Sequence, residues 1–332
     1  MSDSCDVCVV GAGMSGLLAA RHLEANGLRV QLIDKGRGVG GRMSRRRADQ
    51  GGFDHGAQYF TARSEAFRSL VAQWEADGIV RVWARGFAAF DGTRKEDGEA
   101  RYCGVQGMSQ IGKHLATGLN VRTGVRIQQI EAQEEGWMLE STEGERLHAR
   151  GVLVTAPMPQ TLSMLEPVRD RIPRAVVDDL EKVAYDPCLV VMARLGGESQ
   201  IPEPGGIWLS GEPLSWMADN AMKGVFGGDG SAVTLHAGPE YSRENWEANP
   251  EKVISELCDA GQGWFGNEVK EASFHRWLYS RTTRAYPAEY YLQSKPSPLA
   301  LAGDGFGGGR VEGAALSGMA VGEAFVKAMA ET

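Results

Sequence analysis

One stretch near the start of this chain constrains it more than any other. Val7-Cys8-Val9-Val10-Gly11-Ala12-Gly13-Met14-Ser15-Gly16 is followed by a helical run from Leu17 to Asn26 and then by Val30-Gln31-Leu32-Ile33-Asp34. The β-branched run reads as a buried parallel strand, and the glycines stand in the G-x-G-x-x-G spacing that opens a helix. Gly11 permits a tight turn, Gly13 lets backbone approach a pyrophosphate, and Gly16 lets the helix pack closely on the strand. Ala12, Met14 and Ser15 fill the turn and the first helical positions, where unpaired N–H groups face an anion. Asp34 closes the second strand, at the distance where a carboxylate accepts from a ribose diol. A strand, turn and helix without a ligand is the competing reading, and the terminal acid in register argues against it. The stretch asks for a dinucleotide, NAD or FAD, and does not choose between them.

The rest of the composition excludes more than it selects. With 332 residues, 42% of them hydrophobic, the chain has material for two domains or for one with insertions. A formal charge of -8 argues against nucleic-acid and anionic-membrane partners. The first apolar run is broken by glycines and has no basic flank, so no signal peptide or bilayer span is expected, and a cytoplasmic protein is. The odd count of five cysteines does not suggest a disulfide framework. Cys5-x-x-Cys8 lies in the first strand, where residues three apart point to opposite faces, so a structural role is expected. Six histidines without an H-E-x-x-H pair, and no second C-x-x-C, leave no metal site.

After Asp34 comes Lys35-Gly36-Arg37-Gly38-Val39-Gly40-Gly41-Arg42, glycine-rich and basic, in which Gly41 and Arg42 can lie along a pyrophosphate. Arg45-Arg46-Arg47 reads as a solvated continuation. A G-G-R segment behind the second strand resembles the FAD-binding family that includes the amine oxidases, and this resemblance favours FAD, with Lys35, Gly41 and Arg42 as contacts. Next stands Phe53-Asp54-His55-Gly56-Ala57-Gln58-Tyr59-Phe60, where that family returns to the flavin. Gln58, Tyr59 and Phe60 are therefore candidates for the flavin edge or the substrate cavity, and core aromatics are the equal alternative for the two rings.

A helix is expected over Ser64 to Asp77, a strand over Arg81 to Ala89, and Ser109 as the N-cap of a helix from Gln110 to Ala116. Leu119–Thr123, Val125–Glu131, Trp137–Glu140 and Arg146–Ala149 alternate like an antiparallel meander, and Gly151–Pro157 reads as a buried parallel strand. In the resembled family the strand with Val125 touches the adenine. Between Met158 and Pro298 tryptophans and prolines accumulate, with strand-like runs at Cys188–Leu195, Ala232–Ala237 and Phe274–Tyr279. Trp277 and Tyr279 share a strand face and can wall a cavity, an aromatic sheet core being the plainer alternative. Leu299 to Leu301 then runs into Gly303-Asp304, a carboxylate placed for a ribityl hydroxyl or for capping a helix. Arg310, Val311, Glu312 and Gly313 lead into a helix from Ala314 to Ala330, whose N-terminus suits a pyrophosphate.

No second G-x-G-x-x-G opens a helix, since Gly227-Gly228-Asp229-Gly230 leads into a strand-like run. No nucleophile and base constellation appears either. Hydride transfer to a flavin is then the preferred chemistry, and an oxidase of amines or other small molecules, a hydroxylase and a binding-only flavoprotein remain.

The ordering of Asp34–Arg42, Phe53–Phe60, Thr155-Ala156-Pro157-Met158-Pro159-Gln160 and Leu301-Ala302-Gly303-Asp304 narrows this. Along essentially the whole chain it resembles the bacterial renalase family within the FAD-dependent amine-oxidase-like superfamily. The resemblance implies an α/β fold: a Rossmann-like FAD-binding domain of the amine oxidase / p-hydroxybenzoate hydroxylase type, with an inserted α+β substrate domain built on an antiparallel sheet. Residues 1–62, 104–160 and 298–332 would form the first, and 63–103 and 161–297 the second. The resemblance further implies a non-covalent FAD oxidase acting on 1,2-dihydro or 1,6-dihydro isomers of NAD(P)H, returning NAD(P)+ and passing electrons to O2 as H2O2. No side chain would act as a catalytic base. Gln58, Tyr59, Phe60, Trp277 and Tyr279 would line the substrate site, and Arg310 would meet a carboxamide or phosphate. The amine oxidase and the binding-only flavoprotein remain the alternatives.

Overall fold

The computed structural model describes residues 5–49, 51–91, 93–95 and 97–331. They fall into two compact units, one of residues 1–41, 112–185 and 282–332, the other of residues 42–111 and 186–281. The chain thus enters the first unit three times. From the sequence, breaks are expected at 62/63, 103/104, 160/161 and 297/298.

The first unit is built on parallel strands. β1 (Cys5–Val10) lies between β2 (Val30–Asp34) and the strand Arg146–Val154, with Val7 opposite both Val30 and Gly151. Val121–Thr123 extends the sheet parallel to β2, and Leu299–Leu301 runs parallel to the last residues of Arg146–Val154. From β1 the chain crosses to β2 on one side, and from the adjacent Arg146–Val154 it leads on to Leu299–Leu301 on the other, so the carboxyl ends of these two strands form a topological switch point, where open α/β sheets bind ligands. Val7, Cys8 and Val9 are fully buried, as a strand covered on both faces requires. The helix α1 (Met14–Ala25) covers one face and packs along the C-terminal helix Arg310–Ala330. Their approach is close enough that a Cβ on Gly318 would stand 2.4 Å from the Ser15 carbonyl oxygen.

Four expectations change here. The stretch ending at Val121–Thr123 joins β2 in parallel and not an antiparallel meander, because alternation marks a half-exposed strand but not its direction. Val125 follows it outside any strand, its N–H donating to the Asp34 carbonyl at 3.0 Å. The runs 146–149 and 151–157 form one strand, Arg146–Val154, whose first half pairs antiparallel with Trp137–Ser141. Cys5 and Cys8 do meet, their thiols sharing a hydrogen bond, and the N–H groups of Asp6 and Val7 beside them both donate to the Arg29 carbonyl. The hydrogen bond between the two thiols holds Cys5 below the usual thiol range and contributes, with burial, to raising Cys8.

The second unit is a seven-stranded sheet. Its order is Val269–Arg284, Ala184–Leu195, Ala232–Ala237, Leu214–Asp219, Gly206–Trp208, Phe87–Ala89 and Arg94–Lys95. Residues paired across strands share a face, which sorts the side chains into two kinds. Leu189, Val191, Leu235 and Met217 face an aliphatic core with Val253 and Leu257 of the helix Pro250–Gly261. His236, Trp216 and Trp208 form a row on the opposite face, since His236 pairs Trp216 and Trp216 pairs Trp208. The helix expected over Ser64 to Asp77 spans Glu65–Ala76, with Ser64 as N-cap accepting from the Phe67 N–H.

Candidate functional site

At the carboxyl end of β1 the first unit forms a cradle of backbone. Gly11 has φ +111°, and a Cβ there would lie 2.6 Å from the Thr155 Oγ1. Thr155 stands within reach of the Val10 and Gly11 carbonyls, at 3.2 and 3.1 Å, and braces the turn. A Cβ on Gly16 would stand 1.9 Å from the Gly11 carbonyl oxygen, so only glycine allows the helix to begin so close to the strand. Gly13, by contrast, faces open space and caps α1 without a side chain. The Asp34 carboxylate accepts from the Ala12 N–H and the Gly36 N–H, each at 2.6 Å, and a carboxylate has lone pairs for further donors. The loop after β2 folds over this turn: the Gly40 N–H donates to the Ala12 carbonyl, and a Cβ on Gly41 would sit 3.4 Å from the Gly13 Cα. Lys35 donates to Gln160 at 2.9 Å.

The other anchor of the unit is the end of Leu299–Leu301. The Gly303 N–H donates to the Ser317 Oγ, and Gly303 has φ +124°. Asp304 is buried, and Thr282 donates to its Oδ2 at 2.7 Å. The helix begins at Arg310 rather than at Ala314, so Val311, Glu312 and Gly313 are its first turn. Arg310 itself has φ +63°, the strained left-handed region for a residue with a side chain, and is exposed. Its N-cap, Gly309, supplies no side chain.

In the second unit Asp54 to Phe60 is pinned from inside. The fully buried Lys223 ammonium donates to the Asp54 Oδ2 at 2.7 Å and to the Gln58 carbonyl, and it lies 4.7 Å over the Trp83 ring. The other Asp54 oxygen accepts from the Met108 N–H. Gly56 is pressed on Arg42, with a would-be Cβ 1.9 Å from its carbonyl oxygen, and the Arg42 guanidinium donates to the Tyr279 carbonyl at 3.0 Å. Tyr59 packs with Phe87, Trp216 and Trp83 at ring separations of 5.2, 6.0 and 6.4 Å. His55 meets the His275 ring edge-on at 4.7 Å and lies tilted against Trp277 at 5.3 Å, and its carbonyl accepts from the Trp277 indole at 2.9 Å. The same carbonyl lies 3.3 Å from the His236 Nε2; a carbonyl only accepts, so His236 carries its proton there. Burial above all pushes the imidazoles down, His55 to about 3 and His236 and His275 to about 4, so all three are neutral at pH 7.

Residues 9–74 match the NAD(P)-binding Rossmann-like domain, and residues 76–324 match the flavin containing amine oxidoreductase family. The chain belongs to the flavin containing amine oxidoreductase family. Within this family it is renalase-like: renalase of Mus musculus is 25% identical over 337 residues, spanning 95% of this chain and 97% of the mouse protein. An L-amino acid dehydrogenase of Synechocystis is 33% identical over a shorter stretch, 29% of this chain and 21% of that protein. The fold is shared with a solved protein from Exiguobacterium sp. 255-15, with a TM-score of 0.74 at 14% identity over 98% of this chain and 99% of that one. A putrescine oxidase variant gives 0.71 at 14% identity, over 98% and 100%. The expected α/β architecture of a Rossmann-like part joined to an amine oxidase part therefore holds, FAD is the cofactor, and the chain is an FAD-dependent oxidoreductase.

The cradle fits that cofactor on its own geometry. Gly13 leaves room where a side chain would fill it, the Ser15 Oγ is buried without a partner, and the first turn of α1 has no side-chain cap. These are the groups that a pyrophosphate at a helix N-terminus satisfies.

The structure gathers Gly11 to Gly16, Asp34, Lys35 and Gly41 around one turn, and Gly303, Asp304 and Val311 to Gly313 around another, all in the first unit. Val125 reaches the first group through its N–H to Asp34. Gln58, Tyr59, Trp277 and Tyr279 lie in the second unit, as does Arg42. Gln58 is buried and braces its own turn, its amide donating to the Asp54 and Gly56 carbonyls. For Phe60 the geometry favours the core alternative: it is buried among Phe67, Trp74 and Tyr102, and its backbone pairs with Tyr102. No sequence pattern marks Lys223, and Thr155 and His55 stand in the motifs quoted above without a role of their own. Lys223 sits in a segment with no recognisable pattern, whereas Asp54 and His55 belong to the same D-H-G-A-Q-Y-F run as Gln58. Among the described residues no cluster suits a metal, and no helix is long and apolar enough to cross a membrane.

Proposed function

We propose that the chain oxidises the 1,2-dihydro and 1,6-dihydro isomers of NAD(P)H to NAD(P)+. Bound non-covalently in the cradle, FAD supplies a two-electron acceptor for the hydride, with O2 as the final oxidant yielding H2O2. In this reading Gly11 to Gly16 and Asp34 hold the adenosine and pyrophosphate end, Lys35, Gly41, Arg42 and Val125 border it, and Gly303, Asp304 and the first turn of Arg310–Ala330 serve the ribityl and flavin end.

The observation that carries this reading is the chemistry of the ring-lined sheet face. Converting a dihydropyridine to a pyridinium removes a hydride and no proton, so the site has to position the ring and exclude water. Tyr59 and Trp277 are half-buried and offer flat apolar surface, Trp216 packs behind Tyr59, and the neighbouring imidazoles are neutral. Asp54, the nearby carboxylate of the Asp54–Phe60 segment, is occupied by Lys223 and the Met108 N–H and is not free to act as a base. The end-to-end likeness to a renalase supports the same substrate class.

The family match also keeps an amine oxidase in view, since the same rings would hold a neutral amine. One experiment separates the readings. Purified holoenzyme is mixed anaerobically with 1,2-dihydro-NAD, 1,4-NADH and a panel of primary and secondary amines while flavin bleaching is followed. Fast bleaching by the isomer is expected. Bleaching by an amine and not by the isomer would replace the proposal, and bleaching by none would leave a flavoprotein without oxidase turnover.

A further inference from the structure

Behind the ring-lined face of the second unit lies a polar turn that the proposed chemistry does not use. The chain leaves the strand Leu214–Asp219 through Asn220-Ala221-Met222-Lys223, and the Lys223 N–H donates back to the Asp219 carbonyl at 2.9 Å. The Asp219 carboxylate shapes this turn, accepting from the Ala221 N–H at 2.8 Å on one oxygen and from the Ser199 and Ser231 hydroxyls on the other. Asp219, Asn220 and Lys223 are all fully buried. Two of them reach the Asp54–Phe60 segment. The Asn220 Oδ1 accepts from the Asp54 N–H at 3.0 Å, and its amide donates to the Ala232 carbonyl and the Thr234 Oγ1, which fixes its orientation. Lys223 commits its ammonium in three directions: to the Asp54 carboxylate, to the Gln58 carbonyl and over the Trp83 ring. The Gln58 carbonyl belongs to the peptide that joins Gln58 to Tyr59, so an ammonium held on it fixes the backbone from which the Tyr59 ring projects. Trp83 is held in turn by its indole N–H on the Pro204 carbonyl at 2.8 Å, and it meets the Tyr59 ring at 6.4 Å. One buried cation therefore holds Tyr59 both through its backbone and through a ring beside it.

We propose that Lys223, seated by the Asp219–Lys223 turn, is a positioning residue of the oxidation: it sets the Tyr59 ring at the angle and depth at which the substrate ring is received. This rests on the reading above that the ring-lined face takes the dihydropyridine. Stability alone does not call for such a lysine, since apolar residues in place of a buried ion pair are often neutral or stabilising, whereas a fully hydrogen-bonded ammonium admits one arrangement of its neighbours. A reaction that needs no proton removal depends on the alignment of the ring that loses the hydride, and a displacement of about 1 Å can lower its rate about 100-fold. Lys223 touches no reacting atom and works through Gln58, Tyr59 and Trp83.

The test separates positioning from stability by comparing three holoenzymes: the parent, the double variant Asp54→Asn, Lys223→Met, and Val253→Ala. The double variant leaves no buried charge unpaired. Val253→Ala opens the aliphatic core on the opposite face of the same sheet, where Val253 is fully buried, and so destabilises the unit without touching the turn. Anaerobic flavin reduction by 1,2-dihydro-NAD is followed by stopped flow. In the double variant the limiting rate is expected to fall about 10- to 100-fold while the apparent Kd moves less than about 3-fold, because the ring surface is kept and its alignment is lost. Val253→Ala is expected to reduce as the parent does. A limiting rate in the double variant within about 2-fold of the parent, or an equal fall in Val253→Ala, overturns the proposal. Hydrogen exchange of the peptide 53–60, read by mass spectrometry, needs no turnover: it is expected to quicken about 10-fold in the double variant alone, and unchanged exchange there also overturns the proposal. If the parent flavin is bleached by an amine and by no dihydro isomer, the substrate reading fails by itself and the amine replaces the isomer in the same comparison. If nothing bleaches it, the exchange of 53–60 decides.

Discussion

Replacing Lys223 by methionine is the sharpest test of how the second unit holds its ring-lined face. Methionine matches the length of the lysine stem and removes only the ammonium, which donates to Asp54 and Gln58 and lies over Trp83. In the variant the Asp54 Oδ1 keeps the Met108 N–H, while its Oδ2 becomes an uncompensated charge with no access to water. Breaking a buried ion pair from one side costs about 3–5 kcal/mol, and the orphaned Gln58 carbonyl adds about 1–3 kcal/mol, so the loss belongs at or above the upper part of the first range. Because Lys223 comes from 186–281 and Asp54 from 42–111, the two stretches of the second unit loosen together. Urea unfolding followed by tryptophan fluorescence would measure this, and the FAD-free protein should be run alongside so that cofactor binding does not mask the change. The double variant Asp54→Asn, Lys223→Met removes both charges and is expected to recover at least half of the loss. A single variant within about 1 kcal/mol of the parent would refute the reasoning, since a buried carboxylate stripped of its partner cannot be that cheap.

Other outcomes follow from the same structure. Gly13→Val places its side chain in open space, so the apoprotein should melt as the parent does while its FAD affinity falls at least 10-fold, whereas Gly16→Ala should lower both; titration of apoprotein with FAD and a thermal melt distinguish them. His55, His236 and His275 have folded values below the unfolded one, so the unfolded chain binds more protons between about pH 4 and 6.5; their contribution is present above that window and is lost as pH falls through it. Unfolding free energy should therefore drop from pH 7 to pH 4, and His275→Asn should flatten the slope. Iodoacetamide should modify Cys5 first, because its thiol is held below the usual range while burial pushes Cys188 up to about 12 and Cys258 to about 11; mass spectrometry of the alkylated native protein reads the order.

The first unit was legible from its residues because local sequence dictates each part of it. Gly11, Gly13, Gly16 and Asp34 are required by turn geometry and helix packing whatever surrounds them, and the strand, helix, strand order follows from periodicity. What the alternation could not show was pairing. Val121–Thr123 and Arg146–Val154 take their partners from distant segments, and the N–H groups of Asp6 and Val7, between Cys5 and Cys8, bond to Arg29 across the sheet. The second unit resisted for a related reason. Lys223 matters only because the fold lays it against Asp54, 169 positions away, and no local pattern announces a lysine that will be buried. Phe60 and Tyr59 are neighbours of like chemistry, yet pairing with Tyr102 sends one ring into the core and leaves the other in the ring-lined box.

The strand Arg146–Val154 has a further consequence for how the protein is made. It pairs with β1 on one edge and with Leu299–Leu301 on the other, and α1 finishes its packing only against Arg310–Ala330. The sheet at the nucleotide end is thus sewn from stretches at opposite ends of the sequence, whose long loops must close before any contact rewards them. During synthesis α1 waits, with its packing face uncovered, until the last helix has emerged. Cofactor capture is then a late event, and free FAD is expected to speed the final docking of that helix rather than the earliest collapse of the chain.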